Sequence, residues 1–424
     1  MHLGFYINNS LGEVTKTCTE DEIAKILQIH SMNISIYFVM TFSAVAVFLG
    51  SKIILNKIRR NNAQLSVIIV GAGPIGLTSA LVAVHCKRVK KLVLYEEQSK
   101  SNVEKRTYQI ALQSAQVSFL RRYGVDFDNL EGLWHEGCFY TRVGIYLEYI
   151  IHILPLYSKE ITMHFGTKFA REKRDDIDNI PGRKLVICCD GSTGLASHTL
   201  GLSDECVIHS SGIFGAVAAV ERNNETLVPR PEKRIHNLSF DLSAYISSAF
   251  EENGSSKFTL KLFGNSRCRY MALAVNKCDS NIVRALKTVL DKSMMRNIFL
   301  KCYNIYKRSD EASISDSYCL NNMKFSPRLY EIKLSQRMEN VAYISDCDLF
   351  IITEGEASMS YNYNTGMDIN LGVKGLSSLQ PFIEMVTLAE TEYSIMQALV
   401  FKMEHSEKIC RESLKYGLKE YLLL

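Results

Sequence analysis

The sequence predicts an α/β fold in which a Rossmann-like domain is interleaved with a β-sheet domain and preceded by one transmembrane helix. Three observations lead to this prediction. Residues 65–97 read as strand, glycine-rich turn, helix and strand, which is the order of a βαβ unit. Several alternating apolar runs between residues 201 and 325 indicate a second sheet. Residues 34–50 are almost wholly apolar.

The composition is that of a globular chain long enough for two or three domains. Its 424 residues are 47% hydrophobic and 22% charged, with a net charge of +4. Neither this balance nor a zinc-finger or RNP signature indicates a nucleic-acid partner. The 12 cysteines include no C-x-x-C pair, which predicts free thiols in a reducing compartment and no metal site.

The N-terminal segment predicts a single-pass membrane anchor. No charged side chain occurs between Ile26 and Ser51, so residues 33–51 are long enough for a transmembrane helix, with 34–50 in the bilayer. A buried core helix is the alternative. The linker 52–64 is basic, and the positive-inside rule therefore places the following domain in the cytosol and the tail 1–32 in the lumen or outside. Among membranes, the endoplasmic reticulum is favoured.

The glycine-rich turn predicts dinucleotide binding. It has the spacing G-x-G-x-x-G, directly after strand 67–70 and at the start of a helix. The candidate cofactor-binding residues of this turn are Gly71, Gly73, Pro74, Ile75 and Gly76. Such glycines allow a tight turn, close approach of a diphosphate and close helix packing. Glu96 ends the next strand, where an acid accepts a ribose hydroxyl and suits FAD or NAD better than NADP. The alternative is an ordinary βαβ turn whose glycines match the pattern by coincidence.

A second motif resembles a known family. Strand 185–188 is closed by Asp190 and Gly191, and this pattern resembles the flavin-dependent aromatic hydroxylases, the class A monooxygenases. The resemblance implies that Asp190 and Gly191 lie near FAD and the reductant. It also implies that Arg106, ten residues after Glu96, contacts the FAD diphosphate.

The resemblance implies a third motif near the C-terminus. Strand 341–344 is followed by Ser345 and Asp346, in the place of the family's Gly-Asp pair, and Asp346 is expected to bind the ribityl chain. The helix start expected against the flavin ring contains Gly366, Met367 and Asn370. The sequence departs from the family at Ser345, in the long acidic loop 347–364, and by one extra residue between Met367 and Asn370.

The resemblance spans about residues 65–400 and implies an activity. Residues 65–200 and 326–424 would form the two parts of the FAD-binding domain, and 201–325 the substrate domain. The activity implied is an NAD(P)H-dependent monooxygenase that inserts one oxygen atom through a flavin hydroperoxide, with FAD as cofactor and NADPH or NADH as co-substrate. No catalytic side chain is assigned, since the chemistry belongs to the flavin.

The substrate class and the reaction stay open at this point. The substrate would be a small or lipid-like molecule. Residues 106–124 resemble the MICAL-type monooxygenases, so a protein substrate is a further expectation. Two alternatives to a monooxygenase are an FAD-dependent reductase or dehydrogenase of a lipid-like substrate, and a catalytically degenerate flavin-fold binding protein.

Overall fold

The computed structural model describes residues 20–106, 108–157, 159–222, 231–241, 255–265, 267–275, 290–362 and 367–417. The chain divides into two compact units, Met1–Ala63 and Gln64–Leu424. Each unit is described separately below.

The described part of the first unit, from residue 20, contains one long helix, α1 (Glu20–Asn62). Its segment Ser31–Lys52 is long and apolar enough to cross a bilayer by length and composition, and large side chains such as Phe38 and Phe42 are exposed along it. The helix extends past the predicted span 33–51 at both ends. Once an apolar segment has nucleated a helix, good helix formers on either side extend it at little cost.

The second unit begins with alternating strands and helices. In chain order these are β1 (Leu65–Val70), α2 (Pro74–His85), β2 (Val89–Glu96), α3 (Lys100–Glu104), β3 (Gln109–Gln113), α4 (Ser114–Arg122), β4 (Leu133–His135), β5 (Cys138–Arg142), α5 (Val143–Ile153), β6 (Glu160–Phe165), α6 (Arg171–Asp178), β7 (Lys184–Cys188) and α7 (Ala196–Thr199).

Longer strands follow, and helices end the chain. These elements are β8 (Cys206–Glu221), β9 (Pro231–Asp241), β10 (Ser255–Asn265), β11 (Cys268–Val275), α8 (Lys292–Tyr306), α9 (Asp316–Asn322), β12 (Met323–Phe325), β13 (Tyr330–Arg337), β14 (Val341–Ile344), β15 (Leu349–Thr353), α10 (Asp368–Gly375), α11 (Leu379–Leu388) and α12 (Glu392–Gly417). Short 3₁₀ turns cover Leu154–Leu156, Ser345–Cys347, Gly355–Ala357 and Leu376–Ser378.

The first sheet confirms the predicted α/β class. Its six strands lie in the order β14-β15-β7-β1-β2-β6, and every pair is parallel except β14 with β15. Val67 and Ile69 of β1 pack with α2, α5 and α11, whereas Ile68 packs with α6 and α7 on the other side. A parallel sheet covered on both faces explains why these strands are apolar throughout rather than alternating.

The second sheet is antiparallel, in the order β12-β8-β11-β10-β9, and β13 also pairs with β8. Leu260 and Leu262 of β10 pack against Phe299 of α8. Two of the alternating apolar runs, 206–209 and 216–220, belong to one strand, β8. Helix α8 begins at Lys292, and residues 276–289 lie outside the described part. A third sheet has the order β3-β5-β4.

The strand predicted for the third motif forms, but the loop predicted after it is wrong. β14 does form at Val341–Ile344, but it is an antiparallel edge strand that turns back into β15. β15 is the strand that pairs in parallel with β7, although its residues were expected in a loop. The apolar run of β15 is only five residues long, and the acidic residues after it made the whole segment resemble a loop.

Candidate functional site

A cleft of about 770 Å³ lies at the carboxyl ends of β1, β2, β7 and β15. This is the edge where the loops of an open parallel sheet meet and where such folds bind ligands. Eight of the predicted residues line it: Gly71, Gly73, Pro74, Ile75, Glu96, Arg106, Asp190 and Gly191. The cleft therefore brings together the first two sequence motifs.

The glycines of the turn have separate roles. Gly71 has φ +100°, and an added Cβ would lie 2.4 Å from the carbonyl oxygen of Cys189, so only glycine fits this turn. At Gly76 an added Cβ would lie 1.9 Å from the carbonyl oxygen of Gly71, so this glycine permits close packing. At Gly73 the nearest atom to an added Cβ is Nη1 of Arg106 at 4.0 Å. Packing within the protein therefore does not require glycine at position 73.

The amino terminus of α2 is open to a ligand. Gly73 is its N-cap residue, no side chain caps the helix, and its first turn contains no acid. The first amide groups of a helix and its dipole attract anions, phosphates above all. The guanidinium of Arg106 lines the same cleft, so a cation and a helix amino terminus are both available to a diphosphate.

Glu96 is held in place by backbone amides. Its Oε2 accepts a hydrogen bond of 2.6 Å from the amide of Ala72, and its Oε1 accepts one of 2.9 Å from the amide of Gln98. Nη2 of Arg106 lies 3.8 Å from Oε1. Because a carboxylate has about four acceptor positions, Glu96 keeps capacity for a ligand hydroxyl.

Asp190 and Gly191 line the cleft beside the glycine turn, because the backbone at Cys189 and Asp190 lies against Gly71. Oδ2 of Asp190 accepts a 2.9 Å hydrogen bond from the amide of Ala196, which fixes the start of α7. Burial raises the pKa of the Asp190 carboxyl above its ordinary value. Gly191 has φ +83°, with no atom within 4 Å of an added Cβ, so its backbone conformation favours glycine.

Another wall of the cleft is formed by the residues that follow β15, and these residues were not predicted from the sequence. Glu354, Gly355 and Glu356 line the cleft there, and Asp368 joins them from the start of α10. Burial raises the pKa of both Glu356 and Asp368, and the charge of Asp368 adds to the rise at Glu356. The available signal was the apolar run 349–353, which ends in small and polar residues as β1 and β7 do.

A buried ion pair supports this wall from behind. Nζ of Lys402, on α12, donates hydrogen bonds to Glu354 and, at 2.9 Å, to Oγ of Ser378. Lys402 is 1% exposed and Glu354 5%. No sequence pattern distinguishes this lysine from the other lysines of an amphipathic helix.

Three described residues of the predicted third motif, Asp346, Met367 and Asn370, do not line the cleft. Asp346 precedes β15 and so lies at the amino-terminal edge of the parallel sheet, because β14 runs antiparallel. Asn370 is buried and fixes β3: its Oδ1 accepts from the amide of Gln113, and its Nδ2 donates to the carbonyl of Ala111, both at 2.9 Å. Met367 lies against the Gln113 side chain. Gly366 lies outside the described residues.

A second cavity of about 350 Å³ adjoins the cleft. It lies between the β3-β5-β4 sheet and the antiparallel sheet, and Tyr108, Ile110, Asp368 and Ile369 line both spaces. The two spaces therefore share one wall. Among the described residues, no group of three or more His, Cys, Asp or Glu side chains is arranged to hold a metal ion.

Comparisons with known proteins agree with this architecture. No protein-family model matches the chain, and no curated protein matches it in sequence. Among solved structures, the chain is similar to tetracycline destructase Tet(55), at 10% identity and TM-score 0.51, over 84% of this chain and 89% of that one. It is also similar to PqsL of P. aeruginosa in complex with 2-aminobenzoylacetate, at 13% identity and TM-score 0.50, over 84% and 95%. At these identities the likeness establishes only that the chain shares its fold with these two proteins.

Proposed function

We propose that this chain is an FAD-dependent monooxygenase that uses NADPH or NADH. The observation that carries the proposal is the open face of Gly73 at the uncapped amino terminus of α2, inside a cleft large enough for a dinucleotide. The shared fold supports it, since Tet(55) and PqsL are FAD-dependent monooxygenases of class A type.

The residues present in the cleft fit FAD. The α2 amino terminus and Arg106 would bind the diphosphate, and the free acceptor positions of Glu96 would bind a ribose hydroxyl. When bound, FAD supplies the redox chemistry, which is reduction by NADPH or NADH and activation of O₂. The protein contributes position and exclusion of water, and the second cavity, next to the shared wall, would hold the substrate.

Two alternative functions are compatible with this fold. The first also uses the cofactor site, whereas the second keeps only the fold. An FAD-dependent reductase or dehydrogenase of a lipid-like substrate would use the same cleft without consuming O₂. A catalytically degenerate flavin-fold binding protein would keep the fold without turnover. The features that favour degeneracy are the departures from the family at Ser345 and in the long acidic loop 347–364.

The test is a visible absorption spectrum of the detergent-purified protein, before and after NADPH, with an oxygen electrode in parallel. We expect a bound-flavin spectrum that NADPH bleaches, and O₂ uptake. In Gly73→Val the branched side chain would occupy the space of the diphosphate, so we expect loss of flavin and a melting temperature equal to that of the flavin-free wild type. Gly50→Val is the control, because no atom lies within 4 Å of a Cβ added there.

The outcomes separate the three readings of the cleft. A colourless wild-type protein that takes up no added FAD would contradict both enzyme proposals and favour the degenerate binding protein. A flavin that is reduced but consumes no O₂ with any substrate tested would favour the reductase or dehydrogenase.

We also propose that Ser31–Lys52 anchors the protein in a membrane with the enzyme domain in the cytosol. The length and composition of this segment support the anchor, and the basic residues that follow it support the orientation. The endoplasmic reticulum and a MICAL-type protein substrate stay predictions. The sequence Asn8-Asn9-Ser10 is a glycosylation sequon in the tail 1–32. Resistance of the full chain to carbonate extraction is expected for the anchor, and glycosylation at Asn8 is expected for this orientation.

A further inference from the structure

The wall between the cofactor cleft and the second cavity contains a carboxyl group. The described residues that line both spaces are Tyr108, Ile110, Asp368 and Ile369. The two isoleucines have no proton to exchange. Within the described lining, Tyr108 and Asp368 are therefore the residues with an ionisable side chain at both spaces.

The carboxyl of Asp368 acts electrostatically on both sides of this wall. Its charge raises the pKa of Glu356, which lines the cleft alone, and it also raises the pKa of Lys261, which lines the second cavity alone. Asp368 is half-buried, so the side chain remains accessible from these spaces. The carboxyl group itself, and not only the backbone of Asp368, therefore belongs to the shared wall.

The carboxyl of Asp368 is held at the start of α10. It accepts hydrogen bonds from the amide of Ile369 and from its own amide. Two residues further on, Asn370 fixes the helix to β3 through the amide of Gln113 and the carbonyl of Ala111, both at 2.9 Å. Because a carboxyl group has about four acceptor positions, two amide bonds orient it without saturating it.

The surroundings of Asp368 favour a carboxyl that keeps its proton. Burial raises its pKa, and this effect exceeds the opposing effects of the two amides and of the charge of Lys261. Glu356 faces it from the turn after β15, and burial raises the pKa of Glu356 as well. Tyr361 is the remaining neighbour in the cleft, and burial raises its pKa above the ordinary value of 10.

Tyr108 is less suited to proton exchange than Asp368. Burial raises the pKa of its phenol above the ordinary value of 10, and the guanidinium of Arg106 donates a hydrogen bond to the phenol oxygen. A general acid is most effective when its pKa lies near the working pH. The pKa of Tyr108 moves away from neutrality, whereas the raised pKa of Asp368 moves toward it.

The proposed reaction consumes a proton at this wall. Substrate, O₂, NADPH and one proton give the oxygenated substrate, water and NADP⁺. This proton must reach the reacting oxygen between the cofactor and the substrate, in a site that excludes bulk water. A carboxyl group on the wall shared by the two spaces is in position to deliver it.

We propose that Asp368 is the general acid that delivers this proton. The inference rests on the proposed function, which assigns the cleft to FAD and the second cavity to the substrate. The O–H bond of the Asp368 carboxyl breaks, and its electron pair stays on the carboxylate. The proton forms a new O–H bond on the oxygen atom that leaves as water, and NADPH supplies the two electrons. Solvent then returns a proton to Asp368.

The experiment uses the FAD-loaded full chain with NADPH and O₂ and needs no known substrate. Without substrate, NADPH, O₂ and one proton give NADP⁺ and hydrogen peroxide, so the same proton is required. The NADPH-reduced protein is mixed with O₂, and the return of the oxidised flavin spectrum is followed. We expect the wild-type rate to fall as pH rises, because the protonated fraction of Asp368 falls.

The variant Asp368→Asn removes the proton and keeps the shape of the side chain. We expect its reoxidation by O₂ to be about 100-fold slower and to lose the pH dependence, while NADPH reduces its flavin within about threefold of the wild-type rate. Asp368→Glu keeps a carboxyl and should recover the pH dependence. Wild-type rates and pH dependence in a folded Asp368→Asn protein would overturn the proposal.

An acid at the first position of a helix also stabilises the helix dipole, and Asp316→Asn is the matched control for that role. Asp316 is the first residue of α9, its side chain is 55% exposed, and it lines neither space. This variant should change neither the rate nor its pH dependence. Equal losses in Asp316→Asn and Asp368→Asn would overturn the proposal in favour of a helix effect.

Infrared spectroscopy of the full chain gives a readout that does not depend on turnover. The band of protonated carboxyl groups at neutral pH should be weaker in Asp368→Asn than in the wild type, and Asp316→Asn should keep the wild-type band. Identical bands in the wild type and in Asp368→Asn would contradict a protonated Asp368.

A test on the wild type avoids any failure of a variant to fold. Reoxidation by O₂ should be slower in D₂O than in H₂O, because a proton is transferred in that step, and equal rates would overturn the proposal. Flavin content is measured first. A colourless wild type that takes up no FAD contradicts the proposed function, whereas a flavin-loaded protein whose reaction with O₂ is independent of Asp368 contradicts this inference alone.

Discussion

The cofactor cleft and the second cavity are built in different ways, although they share a wall. Much of the cleft comes from short segments in which a buried strand runs directly into a turn, as at Gly71 and Asp190. The second cavity takes its lining from strands between Tyr108 and Tyr330 and from α10. A site formed within a few consecutive residues leaves a pattern in the sequence, and a site formed by strand pairing does not.

The two spaces also differ in charge. Acids outnumber bases among the described residues of the cleft lining, where Arg106 and Lys168 are the bases. The second cavity instead holds two lysines, and Asp368 belongs to both linings. The second cavity also contains the acids Glu136 and Asp368, so the excess of acids in the cleft does not continue across the shared wall.

The largest expected effect concerns Glu354, a cleft residue that is supported by a contact distant in the sequence. Glu354 follows a strand end, yet its partner Lys402 comes from α12, far along the chain. Lys402→Met leaves the Glu354 carboxylate buried without its cation, so we expect a loss of about 3–5 kcal/mol in the free energy of unfolding. Urea unfolding followed by circular dichroism measures it.

A double variant separates the charge from the packing. Glu354→Gln combined with Lys402→Met removes both charges, so most of the lost stability should return. If the double variant is no more stable than Lys402→Met alone, the cost comes from the shape of the lysine and not from the uncompensated carboxylate.

The next largest effect distinguishes two residues of the glycine-rich turn, Gly76 and Gly73. Gly76→Ala puts a Cβ 1.9 Å from the carbonyl oxygen of Gly71, whereas Gly73→Ala meets no atom closer than 4.0 Å. We expect Gly76→Ala to cost about 3 kcal/mol of unfolding free energy, the upper part of the range for overpacking. Gly73→Ala should cost less than about 1 kcal/mol. Similar losses of unfolding free energy in both variants would show that packing requires glycine at position 73 as well as at position 76.

The sequence predicts the parts of the fold that depend on neighbouring residues. The first βαβ unit and the strand before Asp190 form where they are expected, since apolar runs and glycine turns are local signals. The third motif was placed on β14 because its run 341–344 precedes a Ser-Asp pair. Which of two adjacent apolar runs enters the parallel sheet is decided by pairing with β7, and pairing is not local.

The polar contacts that support the sites could not be predicted for the same reason. Asn370 was expected at the cofactor, yet it fixes the backbone of β3 some 257 residues away. Lys402 and Lys261 occur in an amphipathic helix and an alternating strand, where lysine is ordinarily a surface residue. Only the assembled structure shows that both are buried.

The smallest expected effect is a gain of stability when Lys261 is replaced. It sharpens the comparison between the cleft and the second cavity. Its pKa in the folded protein is about 8, against an ordinary 10.5, so folding penalises its charged form. That penalty is fully present below pH 8 and is relieved as pH rises toward 10.5, because the unfolded chain then binds more protons. Lys261→Met should therefore stabilise the protein by about 1–3 kcal/mol at pH 7.

The advantage of Lys261→Met should shrink as pH rises from 8 to 10, which urea unfolding at several pH values measures. Lys324→Met, on the exposed side of β12, should change stability by less than about 0.5 kcal/mol throughout. If Lys261→Met instead lowers the free energy of unfolding by more than about 1 kcal/mol at pH 7, the contacts of the ammonium outweigh the cost of burying its charge.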